Sequence, residues 1–201
     1  MHPLEKMISQ GEHVQQDFKY FLNDAKKIAR SLSAFANTEG GRLLVGIKDN
    51  GKVAGLKHKE EEIYVVEAAA HVFCKPAVNY STRFWEYEGK TVMEVNIPKS
   101  MKAPHTAPDE TGRYTCYIRK NDENKVASEL EATVLKMTHS VKPLTFTMDS
   151  RHKRLLEVLR TYEHSLGYDI EALSRLSLLT RKECIAVLAG LIASGTIQTS
   201  R

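Results

Sequence analysis

The stretch Ala34–Gly55, AFANTEGGRLLVGIKDNGKVAG, decides how the chain reads. Ala34, Phe35 and Ala36 close an apolar helical face. Asn37-Thr38-Glu39 stop that helix, because Asn and Thr side chains bond nearby backbone and compete with the helical ladder. Gly40-Gly41 then permits a path that a side chain would block. Arg42–Lys48 (RLLVGIK) is a mainly apolar run, the pattern of a strand buried on both faces. Asp49-Asn50-Gly51 turns the chain, Asn-Gly being the strongest short hairpin signal, and Lys52–Gly55 is expected to pair back.

Working outward, Glu12–Phe21 reads as a strand and residues 1–11 as a polar lead-in. A helix over Asp24–Asn37, capped by Asn23, places Ile28, Leu32, Phe35 and Ala36 toward a sheet. Glu60–Cys74 reads as a second helix, ended by Pro76. Asn79–Tyr87 and Lys90–Ile97 form a hairpin around Glu88-Gly89. Pro98–Arg113 is a long loop, of the kind that is usually functional or mobile. Tyr114–Arg119 is a further strand. Ser128-x-x-Glu131 is a capping box opening a helix to His139.

Val141–Ser150 (VKPLTFTMDS) reads as a linker between two domains, residues 1–140 and 150–201. Beyond it come a helix from Arg151 to His164, a short helix capped by Asp169, and a helix opened by the capping box Thr180-x-x-Glu183 and ended by Gly195. A short strand over Thr196–Thr199 would complete a winged helix-turn-helix pattern. The fold class is therefore α+β: a mixed sheet with packed helices, then a small winged-helix-like domain.

Composition bounds the function. The 201 residues carry 29 Lys+Arg against 25 Asp+Glu, a formal charge of +4, and 42% are hydrophobic. That suits a globular protein with a mild preference for acidic partners. Cys74, Cys116 and Cys184 are too far apart for a zinc pattern or a disulfide framework, which points to a reducing, cytoplasmic setting. His71, His105 and His152 are isolated, with no zinc spacing. No apolar run is long enough to span a membrane. No G-x-x-x-x-G-K-[ST] loop is present to cradle nucleotide phosphates.

The helix end AFANTEGG, the strand LLVGIKD and the turn NGKVAG together resemble the Schlafen-type AlbA-like domain, a DNA-binding family. Glu12–Lys19 (EHVQQDFK) is similar to that family's Glu-x-x-x-x-Glu-Phe-Lys strand, with Asp17 in place of the second Glu. Tyr117-Ile118-Arg119 is similar to its late strand. The resemblance spans residues 8–137 and implies nucleic-acid binding, with DNA as partner and transcription regulation as role. Lys19, Arg42, Lys48, Arg119 and Lys120 are the basic residues attached to these motifs, and Arg119 with Lys120 stands at a strand end suited to gripping a phosphate backbone.

In the second domain Arg181 and Lys182 are the base-reading or phosphate-binding candidates of the helix after Thr180. The other face of that helix, small and bare around Ala186, Gly190 and Ala193, suits packing on a second copy. A protein-interaction scaffold or homodimer is thus a further reading. Some Schlafen nucleases use three acidic residues on a divalent metal. The matching positions here are Glu12, Asp17 and Asp49, which would take Mg²⁺ or Mn²⁺. Under the binding reading no cofactor is needed. Glu39-Gly40-Gly41 reads either as an anion-binding nest or as a tight turn.

Overall fold

Strand β2 (Gly41–Val45) is the axis of the first unit, because its Leu43, Leu44 and Val45 are fully buried. The structure is a computed structural model of the chain and describes residues 2–139, 148–162 and 169–197. It divides into two compact units, Met1–Ala127 and Ser128–Arg201.

In the first unit β2 lies between β1 (Gln16–Lys19), which is parallel to it, and β4 (Lys90–Ile97), which is antiparallel. Strand β3 (Ser81–Tyr87) pairs with β4 at the edge, giving the order β1-β2-β4-β3. Leu43 and Val45 face helix α2 (Ala25–Asn37) and pack with Ile28, Leu32, Phe35, Met93 and Val95. Leu44 and Ile47 face the other way, onto Leu4, Met7 and Phe18. The apolar run thus serves two cores, as a strand buried on both faces must.

Several expectations change here. Residues 1–11 hold a helix, α1 (Pro3–Ser9), whose Leu4 and Met7 seal the second face of the sheet. Its N-cap is His2, not one of the usual Ser, Thr, Asp or Asn, so the lead-in reading passes over the remaining start signals, Pro3 at the first position and Glu5 closing a capping box. Asp24, not Asn23, caps α2 and accepts from the backbone of Lys26 and Lys27. Lys52–Gly55 pairs back through a single bridge, Ile47 to Val53, because β4 takes the antiparallel place beside β2. Strand β1 is also shorter than expected, since His13 folds back onto Gln16.

Helix α3 (Lys59–Ala68) runs on into a π-helical turn, Ala69–Phe73. The β3–β4 hairpin turns at Glu88 and Gly89, both with positive φ, which matches the twist of the strands. A second, three-stranded sheet is formed by β5 (Thr106–Pro108), β6 (Tyr114–Lys120) and β7 (Glu123–Val126), all antiparallel. The loop expected over Pro98–Arg113 therefore contains β5. Its buried His105 is fixed by Pro76 O at 2.8 Å and Ser100 Oγ at 2.7 Å.

Asn37, at the end of α2, joins the two layers. Its Nδ2 donates to the carbonyls of His105 and Tyr117, each at 2.8 Å, and its Oδ1 accepts from the His105 N–H at 2.7 Å. Cys74 sits in the core, where burial pushes its thiol up to about 12.

The second unit is helical: α4 (Glu129–Thr138), α5 (Ser150–Thr161), α6 (Ile170–Ser177) and α7 (Arg181–Ala193). Ser128 and Thr180 form the expected capping boxes, and Asp149 and Asp169 cap α5 and α6. Leu155, Leu173, Cys184, Leu188 and Leu191 make its core. Helix α4 belongs to this unit and packs on α7, whereas the sequence boundary grouped it with the first. Ile185, Ala189 and Gly190 are buried, so α7 is covered on more sides than one core stripe requires. No strand is present through Ile197; the rest of the expected wing, and most of the expected linker, lies outside the described residues.

Candidate functional site

Arg119 projects from β6 into the interior of the first unit and is 3% exposed. Its Nη1 donates to Asn124 Oδ1 at 3.0 Å. Its Nη2 donates to the carbonyls of His13 at 3.3 Å and Gln16 at 3.2 Å. The same Nη2 lies 3.6 Å from Asp17, and the guanidinium stacks 4.7 Å from the centre of the Phe35 ring. The backbone N–H of Arg119 donates to Thr38 Oγ1. Arg119 thus ties β6 to β1 and to the end of α2. The sequence reading left it at a strand end open to phosphate; its internal acceptors draw it under the surface instead.

Glu12 and Asp17 meet, although five residues apart on an extended chain they would face opposite ways. The fold-back at His13 brings Glu12 round, so that its Oε1 accepts from the Phe18 N–H at 2.9 Å and its carboxyl reaches Asp17. Burial, and next the hydrogen bond with Asp17, raise the Glu12 carboxyl above the ordinary glutamate value. Asp17 also binds Lys19 Nζ at 2.7 Å. Asp49 stands apart, exposed on the turn after β2. Among the described residues, no three His, Cys, Asp or Glu side chains gather to hold a metal ion.

Beside this cluster lies a groove of about 350 Å³, lined by Lys19, Lys27, Arg30, Phe21, Tyr117 and Asn124 among others. Its acidic wall residue, Asp24, is engaged in capping α2. Arg30 is held by Pro108 O at 2.9 Å, with Glu110 at 3.9 Å. Asn124 Nδ2 donates to Ser31 Oγ across the floor. Lys48, past β2, reaches over the ring of Tyr20. Sequence reasoning missed Phe21, Lys27 and Arg30. Their one signal was the aromatic pair Tyr20-Phe21 interrupting the strand pattern just before the cap of α2.

A second groove, about 260 Å³, lies along the Glu39-Gly40-Gly41 turn, with His13, Arg42 and Lys99 on its walls. Its charges are largely matched: Arg42 lies 3.7 Å from Glu94 and Lys99 lies 3.4 Å from Glu39. Gly40 has φ +70° and no room for a side chain, since a Cβ would meet Lys99 N at 2.7 Å and Ile97 O at 2.8 Å. Its N–H is spent on Phe35 O. The two glycines therefore serve a tight turn against the end of β4. Lys120 is exposed at the β6–β7 turn. In the second unit Arg181 pairs with Glu129 and Glu171, and Lys182 is exposed on the first turn of α7.

The Schlafen, AlbA_2 family model matches residues 12–128, more than half of the chain. The chain belongs to that family. The matched AlbA_2 segment spans from Glu12 through both sheets to Ser128. Among solved structures, the DIP2311 protein from Corynebacterium diphtheriae is similar with a TM-score of 0.51 at 18% identity, over 89% of this chain and 32% of that one. The chain therefore spans about a third of that protein's length. The N-terminal domain of a RecG-related protein from Nitrosomonas europaea gives a TM-score of 0.44 at 20% identity, over 64% of this chain and 97% of that one. No curated protein matches the chain. Among the described residues, no helix is long and apolar enough to cross a membrane.

Proposed function

We propose that the chain binds nucleic acid, and that the AlbA_2 domain does so along the groove lined by Lys19, Lys27 and Arg30. The observation that carries this reading is Lys27, exposed at a groove whose acidic wall residue is committed to a helix cap, with Lys19, paired to Asp17, and Arg30, held by Pro108 O, as the further cations of the same groove. Cations placed this way neutralise phosphates and release counterions, the source of sequence-independent affinity. Membership of the AlbA_2 family supports the same partner class. Lys48, over the ring of Tyr20, adds a further exposed cation near the groove.

Two expectations carry less weight on this geometry. Asp17 already holds Lys19 and Arg119, and Asp49 stands on a separate turn, so the three acids are not arranged as one metal site. A regulator that reads base sequence needs polar side chains free to enter a groove. In α7 Arg181 is tied to two glutamates, and seven residues of the helix are buried.

The test is a salt titration of binding to labelled oligonucleotides. Affinity should fall with salt with a slope near 0.7–0.9 per phosphate contact, and Lys27→Ala should remove about one contact from that slope. Absence of binding at low salt would reject the reading.

A further inference from the structure

Tyr20 and Phe21 stand just past the end of β1, 38% and 52% exposed. Their rings lie 5.2 Å apart at 78°, edge to face. Among the described residues this is the ring pair with both members exposed. Leaving such rings in water forfeits the free energy of burying them. The rings are nevertheless held in place. Phe18, before them, is buried in the core under α1, and Leu22, after them, is buried in the core under α2. The Leu22 N–H also donates to the buried Glu62 carboxylate at 2.7 Å. The backbone is thus anchored on both sides while the two rings point outward.

The surroundings of the pair are basic. Lys48 Nζ lies 5.4 Å from the centre of the Tyr20 ring, and Phe21 shares its groove with Lys19 and Lys27. The acids nearby are Asp17, bound to Lys19 and Arg119; Glu12, against Asp17 and the Phe18 N–H; Asp24, capping α2; Glu62, turned in to Leu22; and Asp49, next to Lys48.

We propose that Tyr20 and Phe21 are a base-stacking platform and that the partner of the groove is single-stranded nucleic acid. This rests on the nucleic-acid reading above and narrows it. A duplex keeps the faces of its bases inside its own stack and offers these rings only its backbone. A single strand has open base faces. Exposed rings beside a cationic track bind it by stacking, which tolerates any sequence because every base has a π face. Anchored rings lose little freedom on binding, which favours the contact.

The experiment measures fluorescence anisotropy of the full chain at low salt. The probes are a single strand of roughly twelve nucleotides, within the site size of such grooves, as DNA and as RNA, its abasic backbone of equal charge, and its duplex. The single strand should bind at least about tenfold tighter than the other two, and Phe21→Ala should cost it about 5- to 150-fold, the range of one lost stacking contact. The same variant should leave the abasic and duplex affinities within about twofold and the melting temperature unchanged, since Phe21 is exposed. Phe21→Trp should retain binding, and its added emission should be quenched by the single strand alone. Equal affinity for all probes, or a Phe21→Ala loss that is absent or the same on each, overturns the stacking platform. The groove reading then survives if Lys27→Ala weakens every probe. Absence of binding to any probe at low salt overturns both.

Discussion

Arg119 and Lys27 carry the same charge in the same domain and do opposite things. Arg119 has acceptors on three sides, from His13, Gln16, Asn124 and Asp17, and is nearly closed to water. Lys27 stands exposed on the first turn of α2, at a groove whose neighbouring acid is used elsewhere. The difference lies in the internal partners. Arg119 spends both terminal nitrogens inside the fold, though its buried Nε finds no acceptor among the described residues, and so is part of the fold, whereas a cation left at a groove can meet a ligand. Closeness to a family motif does not separate the two, because Arg119 is the residue inside the motif.

The largest expected effect is Arg119→Ala. It takes from the buried Asp17 carboxylate one of its two cations, leaving Lys19, and removes a donor from His13 O, Gln16 O and Asn124 Oδ1, of which the two carbonyls keep each other's backbone N–H. Breaking one side of a buried ion pair costs about 3–5 kcal/mol. Urea unfolding should show a much lower midpoint, and any loss of oligonucleotide binding should track the unfolded fraction. Arg119→Lys should recover only part, since one ammonium cannot serve acceptors that a planar fork reaches together. A stable variant with weakened binding would move Arg119 from the first class to the second.

Asn37→Ala comes next. It removes three buried hydrogen bonds that join α2 to β5 and β6, for about 2–4 kcal/mol. The same urea titration reads it. Lys27→Ala should do the reverse: stability within about 0.5 kcal/mol of the parent, and a salt slope shallower by about 0.7 on a single strand. If Lys27→Ala destabilised the fold as Arg119→Ala does, the two regions would not differ in kind.

How much of this was legible in the sequence follows from the range of the forces involved. The central strand was readable because burial on both faces leaves an uninterrupted apolar run, and Asn37 with Gly40 marked where α2 had to stop. The caps at Ser128, Asp169 and Thr180 were readable because an N-cap side chain bonds within three residues of itself, with the reciprocal glutamate of a capping box added at Ser128 and Thr180. Arg119 was not, since its partners at His13 and Gln16 lie 106 and 103 residues away along the chain. The fold-back that brings Glu12 to Asp17 turns on one bridge at His13, too short a feature to alter a periodicity. Phe21 read as a strand residue because an exposed and a buried aromatic are the same letter; the buried Leu22 beside it turns Phe21 outward.

Glu12 gives the smallest effect and separates the acid side of the buried cluster from its basic side. Burial and then Asp17 raise its carboxyl in the folded chain, against the opposing pull of the Phe18 N–H and Lys19. In the unfolded chain it titrates near the ordinary value of 4.5. The folded state therefore holds the proton more tightly, so stability is full below pH 4.5 and declines as pH rises toward the raised folded value. Glu12→Gln removes this titration, keeps an oxygen to accept from Phe18 N–H and offers Asp17 an N–H. At pH 7 it should be as stable as the parent or more so. Other groups shape the same profile: Glu62 is raised by burial, and His13 is lowered by burial and then by Arg42 and Arg119. The decisive quantity is therefore the difference between variant and parent urea midpoints from pH 4 to 7. It should grow upward from about pH 4.5 and level off above the folded value. A flat difference would place the Glu12 carboxyl in water, away from Asp17, and leave Arg119 to neutralise a single acid.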